Sequence, residues 1–270
     1  MKRKWSFLTA LMLMFVLVLT ACGGNEESNE SSSSEGDDGL ELTEDGKFSY
    51  VVSGEFPPFS TVDANGDLDG FDVAVGKAIA EKLDLEPAVE KFKFSGMVSA
   101  IQSGRYDAAV ASHTITDERK EAVNFSEPYY YSGPVLYVQP GSEIQSVEDL
   151  EGKDVAVSKG STYEKSAQEY TDKISNYDSD QTALRALSEA KHDAVITDDI
   201  TGKQAMEEGF EIEKVDQLGT SEQAVAIKKE NSNLLEAVNK ALEELKEDGT
   251  LTKLSEEYIG VDITQNPESE

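Results

Sequence analysis

The residues best suited to chemistry lie together in the run Ser112-His113-Thr114-Ile115-Thr116-Asp117-Glu118-Arg119. An apolar, strand-like stretch, Ala108-Ala109-Val110, leads into hydroxyl side chains, and a helix start follows. A guanidinium beside small donors and a helix N-terminus can hold a carboxylate through two parallel N–H···O bonds. Arginine is scarce: Arg3, Arg105, Arg119 and Arg185 are the only four among 24 basic residues. A chain that uses lysine for general surface charge keeps arginine where bidentate geometry matters. The same pattern also fits a surface arginine in a first helical turn, and this run alone does not separate the two readings. Other chemistries find little support. His113 and His192 are the only histidines, and Cys22 is the only cysteine. No His/Cys cluster has zinc-ligand spacing, and Glu151-Gly152-Lys153 lacks the spacing of a phosphate loop. No metal and no cofactor are expected.

The elements that must position Arg119 read as alternating strands and helices. Residues 48–52 are strand-like, and Phe56-Pro57-Pro58-Phe59 forces a loop. Phe71, Val75, Ala78, Ile79 and Leu83 have helical spacing. A short strand near residues 88–92 precedes a helix around Met97, Val98 and Ile101, which Gly104 ends. Such alternation predicts a mostly parallel sheet. The unit then recurs: Gln102-Ser103-Gly104-Arg105-Tyr106-Asp107-Ala108 matches Ser188-Glu189-Ala190-Lys191-His192-Asp193-Ala194. Five residues beyond each aspartate stand Ser112 and Asp198, both at the carboxyl end of a strand, where open α/β sheets bind ligands. Two similar lobes facing one another would place an acid opposite the arginine. Chance similarity of two βα units is the plainer alternative. Residues 154–157 form a further strand, and Ser161-x-x-Glu164 opens a helix with a capping-box pattern.

The chain of 270 residues is long enough for two domains and carries a formal charge of −30. That charge disfavours nucleic acid and anionic lipid as partners of the protein surface. Lys2-Arg3-Lys4 precedes an apolar stretch, residues 5–19, too short for a comfortable membrane span. Leu19-Thr20-Ala21-Cys22 follows and resembles a bacterial lipobox. A signal peptide over residues 1–21 and lipidation of Cys22 are therefore expected; a plain signal peptide with an incidental cysteine is the alternative. Residues 22–46 are rich in Ser, Glu, Asp, Asn and Gly and read as a disordered tether.

In their order and spacing, several motifs resemble extracytoplasmic solute-binding proteins of family 3, the polar amino acid receptors of ABC importers. They are Phe56-Pro57-Pro58-Phe59, Gly70-Phe71-Asp72-Val73, Phe94-Ser95-Gly96, Ile101-Gln102-Ser103-Gly104, residues 114–119, Phe125-Ser126-Glu127-Pro128-Tyr129-Tyr130 and Asp248-Gly249-Thr250. The resemblance implies an α/β fold of the two-lobed, type II periplasmic-binding-protein kind with two crossover hinge strands. Lobe 1 is expected over residues 47–136 and 227–261, lobe 2 over 137–226, and a flexible tail over 262–270. It implies a receptor, not an enzyme, held as a monomer at the outer face of the cell membrane through Cys22, which delivers a zwitterionic amino acid to a permease and its ATPase. It further implies that Arg119, Thr114 and Thr162 hold the α-carboxylate, that Asp198 and the Ser112 carbonyl take the α-ammonium, and that Phe56 and Phe94 flank the aliphatic part. Ser53 is the eighth residue expected to bind the ligand; many relatives have an acid at its place, so a neutral serine there weighs against a basic ligand. His113 stands where relatives carry an apolar residue and reads as packed or exposed rather than as part of the pocket.

Two other readings stay open from sequence. A dehydratase on the same scaffold, similar to cyclohexadienyl dehydratases, needs a cleft acid for proton transfer, with Glu55 and Asp198 as candidates. A compatible-solute receptor needs an aromatic cage, with Phe56, Phe94 and Tyr163 as candidates.

Overall fold

The computed structural model describes residues 39–267. The expected signal peptide, the lipidation site Cys22, most of the tether and residues 268–270 lie outside them. The first lobe begins with β1 (Lys47–Val52), a hairpin of β2 (Thr61–Val62) and β3 (Leu68–Asp69), then α1 (Phe71–Lys82), β4 (Glu86–Lys91), α2 (Phe94–Gln102) and β5 (Ala108–Thr114). A short α3 (Asp117–Ala122) leads to β6 (Val123–Phe125) and β7 (Tyr130–Ser132). The second lobe holds β8 (Pro134–Val138), β9 (Val155–Ser158), α4 (Thr162–Gln168), β10 (Ile174–Tyr177), α5 (Asp180–Ser188), β11 (Ala194–Asp198), α6 (Asp199–Glu207) and β12 (Glu213–Gln217). The chain then returns through β13 (Ser221–Lys228), α7 (Ser232–Glu247) and α8 (Thr250–Ile259).

The two main sheets share one plan. The first has strand order β4-β1-β5-β13-β6, with β7 also paired to β13; the second has order β10-β9-β11-β8-β12. In each, three parallel strands meet an antiparallel one beside the third. Side chains alternate across each sheet. Phe48, Tyr50 and Val52 point into one core of the first lobe, and Val51 and Ala109 into another. Leu136, Val155 and Ile196 face one core of the second lobe, and Val135, Ala156 and Val195 the other. Both faces are covered, which is why these strands read as continuous apolar runs.

The repeated aspartates have a shared task. Asp107 accepts from the Ser49 N–H of β1 at 2.8 Å, and Asp193 from the Asp154 N–H just before β9 at 2.8 Å. Each ties the middle one of the three parallel strands to the neighbour that meets the antiparallel strand, so the sequence repeat is a structural repeat.

The crossovers fall earlier than expected. Gly133 is the only residue between β7 in the first sheet and β8 in the second, so the first crossing precedes Pro134 instead of following Leu136. On the return, β12 ends at Gln217 and β13 already pairs with β7 from Ser221, instead of joining lobe 1 at Ile227. The crossing segments touch: a Cβ on Gly133 would collide with the Gly219 carbonyl. Leu136 and Ala226 are fully buried mid-strand residues, and their apolar runs carry no boundary mark.

Both ends of the expected lobe 1 are also longer. Leu40 and Leu42 pack on its core, Thr43 donates its N–H to Asp107 at 2.7 Å, and Asn231 donates to the Glu41 carbonyl at 2.6 Å. Residues 39–46 are thus docked, not tether. At the other end Thr264 is buried, and the Tyr131 N–H donates to the Ile263 carbonyl at 2.9 Å. Residues 262–267 extend the fold where a flexible tail was expected.

Candidate functional site

A narrow cleft lies between the lobes. Ser53, Phe56, Phe94, Ser112, Thr114 and Arg119 line it from the first lobe. Ser158, Ser161, Thr162, Tyr163, Ser179 and Asp180 line it from the second, with the exposed Glu55 and Asp178 at its mouth.

Arg119 owes its position to a helix cap. The Thr116 hydroxyl accepts from the Arg119 N–H at 3.2 Å and starts α3, which turns the guanidinium back along the end of β5. Nη1 donates to the Thr114 carbonyl at 2.8 Å, and Nη2 donates across the cleft to the Gly160 carbonyl at 3.1 Å. Its Cζ lies 5.7 Å from the centre of the Phe94 ring. Burial lowers the guanidinium from its ordinary value to about 10. Among the described residues no carboxylate stands within 4.0 Å of it. A partly buried cation held by two carbonyl dipoles and the Phe94 ring still has N–H groups for an anion. Thr114 and Thr162 face one another from the two lobes, with hydroxyl oxygens 3.4 Å apart.

The aromatic walls are braced from behind. Phe56 stacks on Phe59 at 5.0 Å, and Phe94 stacks on His113 at 4.6 Å. His113 is 1% exposed, and burial pushes its pKa well below the ordinary imidazole value. It is a neutral packing ring, as the sequence reading favoured. Ser112 adopts a left-handed backbone, φ 56°, which a non-glycine residue takes only where its surroundings hold it. Those surroundings are Tyr129, whose hydroxyl accepts from the Ser112 N–H at 2.9 Å, and Asp72, which accepts from the Ser112 hydroxyl at 2.8 Å. Asp72 is fully buried and also receives the Tyr129 hydroxyl at 2.6 Å.

Seven of the eight expected binding residues line the cleft; Asp198 does not. It ends β11 and caps α6, with one oxygen accepting from the Ile200 and Thr201 N–H groups at 2.9 and 3.3 Å. Its other oxygen receives the Tyr163 hydroxyl at 3.3 Å, so Tyr163 stands between Asp198 and the cleft. Burial raises Asp198 to about 6. The acid on the deep wall of the second lobe is Asp180, 7% exposed and bonded by the Thr197 hydroxyl at 2.6 Å. Burial raises it to about 6 as well. The sequence reading missed Ser161, Ser179 and Asp180 as cleft residues. The available signal was the Ser179-Asp180 helix start after β10, but β10 is four residues long and was not recognised as a strand.

Residues 48–261 match the family model for bacterial extracellular solute-binding proteins, family 3. The chain is 35% identical to the probable amino-acid-binding protein YxeM of Bacillus subtilis, over 97% of each chain. It is 34% identical to the L-cystine-binding protein TcyJ of Escherichia coli, covering 85% of this chain and 89% of the relative. Among solved structures it resembles an ancestral arginine-binding protein bound to arginine, with a TM-score of 0.76 and 37% identity over 80% of this chain and 99% of that one. These relatives are binding proteins of two-lobed architecture, and the chain belongs to the bacterial extracellular solute-binding proteins of family 3.

Proposed function

We propose that the protein is the receptor of an ABC importer, binding an α-amino acid between its lobes and presenting it to a permease and its ATPase. The observation that carries this reading is Arg119: a partly buried guanidinium without an acidic partner, touching carbonyls of both lobes at the cleft. A ligand carboxylate completes it, with the Thr114 and Thr162 hydroxyls as further donors. Asp198 takes the α-ammonium once the 3.3 Å Tyr163 contact gives way, and the Ser112 carbonyl assists. Phe56 and Phe94 hold the aliphatic carbons. Each charge-assisted contact contributes about 1.5–3 kcal/mol, and closure by hinge motion at Gly133 and Gly219 removes the ligand from water.

Nothing in this arrangement needs proton transfer. Glu55, one candidate acid, is exposed and paired with Lys91. Asp198, the other, caps α6 with one oxygen, and its second oxygen is the one assigned to the α-ammonium. The same reading places the protein outside the cytoplasmic membrane as a monomer, anchored through a lipid on Cys22. Calorimetric titration against the common L-amino acids tests the receptor; a folded protein that binds none of them sinks it. Labelling with radioactive palmitate, lost in Cys22→Ala, tests the anchor.

A further inference from the structure

With Asp198 counted behind its wall, the cleft carries one more acid than a zwitterion can satisfy. Four ionisable carboxylate and guanidinium groups line it: Glu55, Arg119, Asp178 and Asp180. The two at the mouth already have lysines, Lys91 on Glu55 and Lys93 on Asp178. Deeper in, one cation faces two acids, Asp180 on the wall and Asp198 behind Tyr163. An α-carboxylate neutralises Arg119, and an α-ammonium neutralises one of the acids. The other stays buried without a cationic partner. Among the described residues no Lys, Arg or His lies within 4.0 Å of Asp180. It opens α5, and its partners are the helix's first backbone N–H, the Thr197 hydroxyl, which donates at 2.6 Å, and the buried Ser158; the one charged group acting on it is the repelling Asp198. Closing the cleft over a carboxylate with no cation beside it costs either its desolvation or its protonation, and a second cation on the ligand removes that cost.

We infer that Asp180 receives a positively charged group at the side-chain end of the ligand, and that the receptor selects cationic amino acids. The inference rests on the reading that Arg119 and Asp198 hold the ligand's backbone groups. It reverses the expectation drawn from the neutral Ser53. Ser53 is taken up in its own loop, where its hydroxyl accepts from the Glu55 N–H at 3.1 Å, and the acid is supplied instead from the facing lobe.

Two ligand pairs of matched shape test this on the full-length chain in mild detergent: L-arginine against L-citrulline, and L-lysine against L-norleucine. Calorimetry is expected to give the charged member of each pair about tenfold to hundredfold higher affinity, the worth of one charge-assisted contact. In Asp180→Asn that ratio falls to about threefold or less, while Asp180→Glu keeps the preference for charge. A wild-type ratio near one overturns the inference and needs no variant. So does an Asp180→Asn protein that melts cooperatively yet weakens both members equally, since that assigns Asp180 to the shared backbone ammonium. Binding of neutral amino acids alone defeats the inference and leaves the receptor reading standing; failure of every amino acid to bind defeats both.

Discussion

Arg119 in the first lobe and Gly160 in the second are joined by a 3.1 Å hydrogen bond from the guanidinium to the backbone carbonyl. The cation that would hold the ligand is therefore also a contact between the lobes. Its other terminal nitrogen serves the Thr114 carbonyl, and the remaining N–H groups are free to form a planar fork. Lysine keeps the charge but cannot hold two carbonyls and a bidentate carboxylate together. Arg119→Lys is expected to lower amino acid affinity about tenfold to hundredfold by calorimetry. An affinity within twofold of wild type would remove Arg119 from the site.

Gly160 also limits how closely the lobes meet. Its φ is +77°, and a Cβ there would stand 3.3 Å from Ser95 in the first lobe. Gly160→Val adds two methyl groups to that gap and forces a β-branched residue into a left-handed backbone. The variant is expected to bind ligand at least about tenfold more weakly. Its radius of gyration, measured by solution X-ray scattering, should no longer contract when ligand is added. Contraction equal to wild type would show that the lobes close without this approach.

The rim pairs are a weaker clasp. Lys93 and Asp178 meet across the cleft mouth at 3.0 Å, with side chains 74% and 65% exposed, and Lys165 pairs with Glu118 on the opposite side of Arg119. Exposed pairs contribute about 0–1 kcal/mol and are screened by salt. Lys93→Ala is expected to change affinity by no more than about fivefold in dilute buffer. The difference should vanish in concentrated salt; a large effect that survives salt would mean that Lys93 contacts the ligand itself.

How far the sequence speaks for this site depends on which kind of contact makes each part. Local signals survived folding. Thr116 and Ser161 cap their helices, α1 follows the apolar spacing from Phe71, and Arg119, Phe56 and Phe94 reach the cleft. The capping box at Ser161 is only half made, since Glu164 reaches back to the Gly160 N–H instead of that of Ser161. What local patterns could not reveal depends on tertiary neighbours. The crossover at Gly133 is set by contact with Gly219, distant in sequence. Residues 39–46 look like tether until Asp107 and Asn231 bind their backbone. Asp198 sits at the expected strand end, yet Tyr163 from another element stands in front of it. Asp180 reads as an ordinary first-turn acid and becomes a wall of the cleft only because β10 and β9 are neighbours.

Asp72 makes a pH prediction whose sign can be worked out. Its carboxylate is fully buried between the Tyr129 and Ser112 hydroxyls, and burial, with a smaller push from Asp198, raises it to about 8. The ordinary value is 3.8, so between these limits the folded protein holds a proton that the unfolded chain has released. The stabilisation is fully present below about 4 and is lost as pH rises through about 8. His113 acts in the opposite sense. Burial lowers it, so its contribution is lost as pH falls below the ordinary 6.5. The wild-type curve sums both effects, together with those of Asp180 and Asp198, and a difference between two proteins isolates Asp72. Asp72→Asn cannot ionise, and its melting temperature should fall less than that of wild type between pH 5 and pH 8.5. The gap should close by about 2–4 °C for each kcal/mol of ionisation cost removed. Parallel melting curves would show that Asp72 is not protonated in the folded state. The Ser112 hydroxyl would then face a permanent charge behind the cleft, and the negative side of the site would be stronger by one full carboxylate.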